Sequence, residues 1–563
     1  MAIDPNIKQK AENIRLKKKG REVRESLAAG LESMSEDVVE TVDRQDYVES
    51  QFQEVIDNTT GKDVISAPEL IAARNGEANL KARLDKERQE VNAQLAHNET
   101  VVKTLNAELV DDDDVVFSDI DNKQFYSNKQ KQILLEDAVK LVKNGSIKNL
   151  NLKISSQTLL ETVVNTKNIK VMDSVLESEN QVITINESNA ESVLIAFNKI
   201  RGGNFPVLLN VMGKNSTDID ILFNDIESFT GGDVVEINSP SDVAGESVRG
   251  VKLIGNTLSS EDEAGTNNNN GSGFAIGMAQ ARDLIALANI AKTARSEALH
   301  IEDGSENVIV LANVFNDLLK DGAFVSGESN KVNRHKAHLV IANHFKQKGN
   351  AKKGYGLQMV MTNSEYYMDL LNFSHNRLEG FDVGIVMHST KQTLIADATI
   401  IENCNVGISL NGRIEGTLIF KNTPRLINIY GKSSMDKVVS TTPVGPDFIG
   451  NMSGNLKLNS FSIVTPALVA SQGYINQPLF RVPGYMSGML TLTGKNADFR
   501  YVYKIEFIGG VLAFTKTPII PSSAIGGFDL VHENNRINVK TYNANSTNVD
   551  VQMEVEFDGL IIY

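Results

Sequence analysis

The amino-acid sequence predicts a mainly β protein: a right-handed parallel β-helix, preceded by N-terminal helices and a trimeric coiled coil and followed by a C-terminal antiparallel β-sandwich. Three patterns lead to this prediction. They are short apolar runs that repeatedly end in asparagine, a seven-residue apolar spacing ahead of them, and alternation of apolar and charged residues near the C-terminus. Units that recur every 20 to 50 residues or so indicate stacked coils, each covering the apolar face of its neighbour.

The central repeat is marked by asparagines at intervals of 24, 30, 33, 27 and 19 residues: Asn289, Asn313, Asn343, Asn376, Asn403 and Asn422. The runs before them are short and rich in β-branched residues, which favours the strands of a parallel β-helix. Residues 399–412 also align without a gap on residues 418–431. We expect the asparagines to form a ladder at one corner, each amide bonding to neighbouring coils. The alternative is a set of unrelated turn asparagines.

The first 110 residues predict helices. Asp4-Pro5 is a strong helix start, and the helix that follows is basic and amphipathic. We assign residues 1–79 to a helical docking region, with a merely solvated helix face as the alternative. Leu84, Val91, Asn98 and Leu105 then recur every seven residues, and an asparagine inside such a seam fixes register and strand number. Residues 80–110 are therefore assigned to a parallel coiled coil, most suitably of three chains.

The next section, residues 111–229, is assigned to an α/β connecting and capping region. Residues 132–142 have the pattern of an amphipathic helix that stops at Asn144-Gly145. Residues 195–200 and 221–226 each precede a Gly-Gly pair and an apolar strand. A helix in that position would protect the open end of the stack against edge pairing.

The β-helix itself is predicted over residues 230–432, and the C-terminal β-sandwich over residues 433–563. After Gly431 the repeat gives way to a stretch rich in Ser, Thr, Pro and Gly. Farther on, apolar residues alternate with polar or charged ones in two runs, residues 501–507, where Val502 is the exception, and residues 549–557. One apolar and one charged face are typical of antiparallel sandwich strands. We expect this C-terminal β-sandwich to cover the last coil of the β-helix and to pack three chains together.

Composition excludes several classes of function. A net charge of −15 argues against a nucleic-acid binder or a binder of anionic membranes. The single Cys404 excludes an intrachain disulfide framework, and no apolar run reaches the length of a membrane span or signal peptide. P-loop, nucleophile-elbow and dinucleotide motifs are missing, so no cofactor is expected. If the protein acts outside a cell, we expect it to arrive there on a released particle.

The order of these regions resembles that of bacteriophage tail spikes and receptor-binding fibres. Residues 14–27 (IRLKKKGREVRESL) and 71–85 (IAARNGEANLKARLD) look like the opening of baseplate fibre proteins in phages of Gram-positive bacteria. Residues 190–430, with their Leu-Ile-Gly-Asn passage at 253–256, are similar to pectate-lyase-like β-helices. The resemblance implies a homotrimeric virion component of the phage tail or baseplate. It would attach to other baseplate or tail proteins through its N-terminus and act outside the cell on surface glycopolymers of the host.

Catalytic residues are not identifiable from the sequence. Paired carboxylates cleave glycosidic bonds, and the following acids lie on or beside predicted coils without a recognisable spacing: Asp369, Glu379, Asp382, Asp397, Glu402 and Glu415. The acidic turn at Glu302, Asp303 and Glu306 has no calcium-loop signature. The histidines His335, His338 and His344 suit Zn²⁺ by type, but their positions favour a solvated turn, so no metal site is predicted.

The sequence offers one candidate binding stretch. Between residues 331 and 353 there are seven basic residues and no acid: Lys331, Arg334, Lys336, Lys346, Lys348, Lys352 and Lys353. In so acidic a chain, such a stretch beside one coil can hold a polyanion such as teichoic acid phosphate, and three copies would raise avidity. The alternative is a solvated loop face.

The leading interpretation is therefore a trimeric phage baseplate fibre or tail spike that attaches to cell-wall polysaccharide or teichoic acid. The competing interpretation is a glycopolymer-degrading enzyme, a glycosidase or lyase, on the same scaffold. A bacterial cell-surface β-helix protein is a third possibility, against which the missing secretion signal counts.

Overall fold

The computed structural model describes much of the chain from residue 106 onward, and all described residues belong to one compact unit, Leu105–Tyr563. The described ranges are 106–109, 119–127, 132–155, 157–186, 189–210, 216–238, 248–261, 273–302, 305–326, 335–349, 352–360, 368–388, 393–445, 447–465, 468–470, 473–494, 499–520, 528–543, 549–551 and 553–563. The predicted N-terminal helices and nearly all of the predicted coiled coil lie outside these ranges. The last residues assigned to the coiled coil, 106–109, are a strand instead.

Every regular element in the described ranges is a β-strand. The first strands in chain order are β1 (Asn106–Leu109), β2 (Asp119–Asp121), β3 (Lys123–Tyr126), β4 (Gln132–Leu134), β5 (Val139–Lys148), β6 (Asn151–Ile154), β7 (Leu160–Met172), β8 (Val175–Ser178), β9 (Ile183–Asn186), β10 (Glu191–Ala196), β11 (Lys199–Gly202), β12 (Val207–Asn210), β13 (Thr217–Leu222), β14 (Asp225–Ser228), β15 (Val235–Asn238), β16 (Val251–Ile254), β17 (Thr257–Ser260), β18 (Ile276–Ala279) and β19 (Ile285–Leu287).

The stack continues with β20 (Ile290–Thr293), β21 (Glu297–Glu302), β22 (Val308–Leu311), β23 (Val314–Leu318), β24 (Asp321–Ser326), β25 (His335–Ile341), β26 (His344–Gln347), β27 (Tyr355–Val360), β28 (Met368–Asn372), β29 (Arg377–Glu379), β30 (Val383–Met387), β31 (Thr393–Ile395), β32 (Thr399–Glu402), β33 (Val406–Leu410), β34 (Arg413–Lys421), β35 (Arg425–Ile429), β36 (Lys432–Pro443), β37 (Ile449–Met452) and β38 (Asn455–Val464). The C-terminal strands are β39 (Leu468–Ala470), β40 (Gly473–Arg481), β41 (Tyr485–Gly494), β42 (Arg500–Ile508), β43 (Val511–Ile520), β44 (Asp529–Glu533), β45 (Arg536–Asn543), β46 (Val549–Val551) and β47 (Met553–Ile562).

The strands up to β38 form a solenoid of three parallel sheets, in which each strand pairs with its counterparts in the coils before and after it. The coil that holds β22, β23 and β24 contributes one strand to the first, second and third sheet in that order. We call the corner between the first and second sheets the ladder corner, and the corner between the second and third sheets the cleft corner. The prediction of a parallel β-helix is confirmed by this pairing.

The interior is filled by alternate residues of every strand, as the two-residue repeat of a strand requires. In β22, for example, Val308 and Val310 are fully buried, whereas Ile309 and Leu311 point outward. The rings of Phe315 and Phe345 stack in successive coils, with centroids 4.9 Å apart. One apolar column thus runs through the stack, and each coil is stable only because its neighbours cover it.

An asparagine ladder runs along the ladder corner through seven coils: Asn198, Asn224, Asn256, Asn289, Asn313, Asn343 and Asn376. Each side-chain amide donates to a backbone carbonyl of the preceding coil, and all but that of Asn376 also donate to the side-chain oxygen of the next asparagine, at 2.9 to 3.1 Å. All seven side chains are buried. The residue before each ladder asparagine has a positive φ, which turns the chain sharply: Phe197, Phe223, Gly255, Ala288, Ala312, Ala342 and His375.

Two of the predicted ladder members do not belong to it. Asn403 and Asn422 lie at the cleft corner, after second-sheet strands, and adopt positive φ values of 57° and 49° themselves. At the ladder corner the position after Asn376 is taken by Thr399, whose hydroxyl donates to the Phe373 carbonyl (2.7 Å). The prediction failed because an apolar strand followed by asparagine occurs at both corners. Asn198, Asn224 and Asn256, which do belong, were missed.

The assignment of residues 111–229 to an α/β connecting region is wrong for its described part, which consists of ordinary coils. Residues 132–142 fall in β4 and β5, where Val139 and Leu141 point into the core. Residues 195–200 turn the ladder corner between β10 and β11, and 221–226 repeat this one coil later. A corner in the middle of an apolar run breaks the two-residue alternation and so imitates the spacing of a helix.

The start of the C-terminal region also differs from the prediction. β36, β37 and β38 continue the parallel coils well past residue 433, and the switch occurs at β38, whose other edge pairs antiparallel with β47. β47, β41, β42 and β43 extend this antiparallel sheet, and β40, β45 and β44 form a second one. Contacts such as Phe499 against Phe528 and Phe507 against His532 join the two sheets as a sandwich. The last coil is thereby closed by the C-terminal strand.

Candidate functional site

The predicted basic stretch is only partly described. Lys331 and Arg334 lie outside the described residues, and Lys336 lies in β25 with a side chain that is also outside them. Lys346 is on the outer face of β26, and Lys348, Lys352 and Lys353 belong to the turn between β26 and β27. The described lysines therefore gather at the cleft corner.

The carboxylate of Glu379 lies close to one of these lysines and to two further basic side chains. Glu379, in β29 one coil later, is 3.2 Å from Lys346 Nζ, 3.1 Å from His344 Nε2 and 3.4 Å from Arg377. Partial burial alone would raise the pKa of Glu379, but its hydrogen bonds and charge interactions with these neighbours hold the pKa below its usual value. Arg377 also reaches Glu402 at 2.8 Å. Glu379 is thus ionised at neutral pH.

His344 completes this group as a neutral side chain. Burial lowers its pKa, and the nearby charges of Arg377 and Lys346 act in the same direction, against the influence of Glu379. An uncharged imidazole leaves Lys346 and Arg377 as the cations that Glu379 pairs with. Lys352 and Lys353 are not among these partners.

The cleft at this corner has a volume of about 280 Å³ and is lined by Lys346, Gln347, Gly349, Lys352, Glu379, Gly380 and Asn403. Gly349 and Gly380 both have positive φ, which opens the turn without a side chain in the way. Gln347 braces the wall: its Oε1 accepts from the Lys353 amide (2.6 Å) and its Nε2 donates to the carbonyls of Lys353 and Lys320. We call this feature the cationic cleft.

A second cluster lies on the third sheet and consists of acids that the sequence did not single out. Glu236, in β15, is only 7% exposed, and its Oε2 has no hydrogen-bond partner among the described residues. Burial and the nearby charges of Asp233 and Glu302 raise its pKa from 4.5 to about 8. The carboxyl is therefore mostly protonated at neutral pH.

The absence of a side chain at Gly277 makes room for Glu236. Gly277 pairs with it one coil later, and a Cβ on that glycine would overlap the Glu236 carboxylate. The next residue in the same row is His300, whose ring is stacked between Phe274 (4.1 Å) and Phe324 (4.8 Å). Its Nε2 lies 3.1 Å from Glu302. An aromatic wall thus stands beside a protonated carboxyl.

Three further acids complete this acidic cluster. Asp233 accepts backbone N–H bonds from Gly273 and Phe274, yet burial raises its pKa. Glu297 and Asp321 share Lys320, whose Nζ lies 3.1 Å and 3.4 Å from them. The pKa of Asp321 is also raised by burial, although the Tyr355 amide donates to it (2.6 Å). Carboxyls with raised pKa values beside a cation are typical of sites that move protons.

The acidic cluster and the cationic cleft are neighbours on one surface. Lys320 contributes its side chain to the acidic cluster and its carbonyl oxygen to Gln347 of the cleft wall. Asp321 and Tyr355 link the same two coils from the third-sheet side. A ligand along this corner would meet protonated carboxyls and aromatic rings on one side and lysines on the other.

Other candidates from the sequence are held in local contacts. Asp382 accepts from Asn405, Asp397 accepts from the Thr417 amide, and Glu415 pairs with Arg413. The side chain of Asp369 lies outside the described residues, as does Asp303, whereas Glu306 pairs with Arg282. These acids do not share one site.

The histidines are likewise dispersed. His338 is fully buried and points from β25 into the interior of the solenoid. The expectation of a solvated turn is wrong for this residue, because the strand already starts at His335. His344 is on the outer face of the next strand, and the His335 side chain lies outside the described residues. Within the described ranges, no group of three or more His, Cys, Asp or Glu side chains has a metal-binding arrangement.

Sequence reasoning missed the acidic cluster because its members are far apart in the chain. The only local signal is the segment 297–306, in which several acidic residues occur close to His300. Glu236 becomes a neighbour of His300 only through pairing across β18. In the described part of the chain, moreover, no helix is long and apolar enough to cross a membrane.

Comparison with known proteins gives matches among solved structures. The tailspike protein gp49 of Acinetobacter baumannii bacteriophage Fri1, a capsular polysaccharide depolymerase, is 10% identical over 77% of this chain and 82% of that chain, with a TM-score of 0.32. The surface adhesin PfbA of Streptococcus pneumoniae is 12% identical over 76% and 91%, with a TM-score of 0.34. The tailspike of E. coli bacteriophage HK620, in complex with a pentasaccharide, is 11% identical over 77% and 86%, with a TM-score of 0.36. No protein-family model and no curated protein match the chain.

Proposed function

We propose that this chain is a phage tail spike or baseplate fibre that attaches the virion to a host cell-wall glycopolymer, either teichoic acid or polysaccharide. The observation that carries the proposal is the cationic cleft on the side of a parallel solenoid, next to an aromatic and acidic surface. An extended lateral face suits a long polymer, because many weak contacts along one chain add up. The cleft also concentrates positive charge in a chain of net charge −15.

The assembly in this proposal is a homotrimer. Its N-terminal helices would dock on other baseplate or tail proteins, and the shaft would act outside the cell. Residues 14–27 and 71–85, with their resemblance to baseplate fibres of phages of Gram-positive bacteria, support this placement. Lys352 and Lys353 are the preferred ligand contacts, since Lys346 already pairs with Glu379. Three clefts on one particle would raise avidity for a repeating polymer.

The triple variant Lys348→Ser, Lys352→Ser, Lys353→Ser should bind purified wall teichoic acid about tenfold more weakly than the wild-type protein. Exposed charges contribute roughly 0.2–1 kcal/mol each, which gives this order of magnitude for three. Because salt screens such contacts, the variant's affinity should also fall less steeply as ionic strength rises. Affinity measured by calorimetry or interferometry at two salt concentrations tests both expectations.

The matched control carries the same loss of charge on later coils: Lys432→Ser, Lys437→Ser, Lys457→Ser. These lysines lie in β36 and β38, and none of them lines the cleft. The control should keep the wild-type affinity. Equal weakening by both triple variants would mean that net charge rather than the cationic cleft governs binding.

A second candidate function is cleavage of the same glycopolymer, and the acidic cluster specifically favours it. Glu236, with a pKa of about 8, holds a proton at neutral pH, as a general acid for a leaving sugar oxygen must. A second, ionised carboxylate would serve as base or nucleophile, and Glu302, 37% exposed, gives the cluster its opening to solvent. Under this candidate, Phe274 and Phe324 would flank the bound sugar.

Release of reducing ends from purified wall polysaccharide, whose sugars are joined by glycosidic bonds, tests this second function. Wild-type protein should release fragments and Glu236→Gln should release none, while both bind the polymer equally. Glu415→Gln, in an outer ion pair with Arg413, serves as the control and should keep full activity. If wild-type protein releases nothing from walls that it binds, attachment alone stands.

A further inference from the structure

Four carboxyls of the acidic cluster are buried close together. Asp233, Glu236, Glu297 and Asp321 are each at most 7% exposed. Burying several acids side by side is favourable only when cations or hydrogen-bond donors compensate them. The partners that each acid has in the structure therefore indicate which compensation a ligand would supply.

One side of the acidic cluster already holds a primary ammonium group. Lys320 Nζ lies 3.1 Å from Glu297 and 3.4 Å from Asp321. Burial lowers the pKa of Lys320, but the charges and hydrogen bonds of these two acids raise it above its usual value. An ammonium group with three N–H donors thus fits between carboxylates of this cluster.

On the other side, the described residues leave one acceptor without a donor. Glu236 Oε2 is buried and has no hydrogen-bond partner among them. The charges that act on Glu236 there are those of two further acids, Asp233 and Glu302. Buried polar atoms in folded proteins nearly always have a partner. An unpartnered carboxyl oxygen among acids therefore points to a cationic donor that a ligand brings.

Glu302 opens this side of the acidic cluster to solvent. Its side chain is 37% exposed, and its Oε2 lies 3.1 Å from His300 Nε2. The ring of His300 is part of a continuous stack with Phe274 and Phe324, and Phe274 lies beside the Glu236 carboxyl over Gly277. Aromatic faces attract cations and also pack well against flat ligands. The way from Glu302 to Glu236 is thus lined by aromatic rings.

From these contacts we infer that the acidic cluster binds a primary ammonium group of the glycopolymer, as on a sugar unit that carries an amine in place of a hydroxyl. The ammonium donates to Glu236 Oε2 and pairs with the Glu302 carboxylate, which repeats the arrangement around Lys320. Glutamine at position 236 would keep an acceptor oxygen. The inference rests on the proposed attachment and adds the chemical class of the unit that is recognised.

Acetylation of the amine is the change that this site should reject. An N-acetyl group has no positive charge and a single N–H donor, whereas an ammonium group has three donors. It would leave the Glu302 carboxylate without its cation and would place a carbonyl oxygen near buried acids. A site built to bind a hydrogen-bonding group discriminates against an analogue that lacks it, because the polar groups of the site are then left unpaired.

Titration of the full-length protein with glucosamine and with N-acetylglucosamine tests the inference, because the two sugars differ only at this group. At about pH 6 the amine of glucosamine is protonated, since amines of this kind have pKa values of roughly 8. Wild-type protein should bind glucosamine at least about tenfold more tightly than N-acetylglucosamine, as measured by calorimetry. Glu302→Gln should lose this preference. Equal affinity of the wild type for the two sugars, or no measurable binding of glucosamine, overturns the inference.

Glu556→Gln is the matched control, because it removes the same charge from an exposed position of β47. This variant should keep the wild-type preference. An equal loss in Glu302→Gln and Glu556→Gln would mean that the net charge of the chain attracts the amine, and the inference would fall. The comparison of the two sugars on wild-type protein needs no variant, so it decides the question even if Glu302→Gln does not fold.

The result is separable from that of the proposed attachment. Neither sugar carries a phosphate, so the triple variant of Lys348, Lys352 and Lys353 should keep the preference for glucosamine. Protein that binds the wall polymer but does not distinguish the two sugars would refute the ammonium site and leave the attachment in place. Protein that prefers glucosamine but binds no wall polymer would refute the attachment instead.

Discussion

Replacing Asn313 by alanine should lower the free energy of unfolding of the solenoid by about 3–5 kcal/mol. Its amide donates to Asn343 Oδ1 and to the carbonyls of Ala286 and Leu311, and its Oδ1 accepts from the amide and side chain of Asn289. The site is fully buried, so the partners left behind find no water. An unsatisfied buried polar group costs about 1–3 kcal/mol, and several are created here. Chemical denaturation followed by circular dichroism measures the change.

Asn422→Gly is the matched control, since Asn422 is exposed at the cleft corner with a φ of 49°. Glycine adopts that conformation freely, so the change should stay within about 0.5 kcal/mol. Comparable losses in the two variants would mean that asparagines act as turn residues and that stacking of their amides adds little. A loss confined to Asn313→Ala supports a ladder that holds adjacent coils together.

Glu236→Gln should stabilise the folded protein at alkaline pH, which is the second large effect expected. The pKa of Glu236 rises from 4.5 to about 8 on folding because burial disfavours the charged form. Between these values the folded state holds a proton that the unfolded state releases, so stability falls as pH rises from about 4.5 to about 8. At about 1.4 kcal/mol per pH unit, the loss is at most about 5 kcal/mol. Glutamine stays neutral over this whole range, so the variant does not lose stability in this way.

Denaturation at a series of pH values between 5 and 9 or so measures this effect as the difference between wild type and variant. The two proteins should agree near pH 5, and the variant should be more stable near pH 9. Asp397→Asn, at an exposed acid of the ladder corner, is a control whose difference from wild type should not grow over this range. A constant difference between wild type and Glu236→Gln would contradict the assignment of a protonated carboxyl at neutral pH.

Much of the central architecture is legible in the sequence because the pattern is local. The gapless alignment of residues 399–412 on 418–431 matches the strand register, in which Thr399 pairs with Leu418 and Ile408 with Ile427. The apolar runs that end in Asn289, Asn313, Asn343 and Asn376 likewise place these four asparagines at one corner. Alternation and residue type are properties of a few neighbouring residues, and these two properties are enough to predict a strand from sequence.

The errors share one physical origin. Residues 195–200 and 221–226 have the spacing of a helix because a corner shifts the two-residue alternation by one position. Asn403 and Asn422 resemble ladder members in sequence because the two corners present the same local pattern, an apolar strand and then asparagine. Only the pairing of whole coils tells the corners apart, and pairing is a long-range property.

The sequence by itself determined that this chain winds into parallel coils with stacked asparagines, because the alternation of a strand and the asparagine at its end are local features of a few neighbouring residues. The tertiary structure alone decided where chemistry is concentrated. Glu236, Gly277 and His300 lie side by side because they occupy equivalent positions in three consecutive coils. Which residues become equivalent depends on the lengths of the loops between the strands, and the composition of those loops does not indicate which residues will pair. Burial then raised the pKa of a carboxyl that, in sequence, is indistinguishable from any other glutamate on a strand.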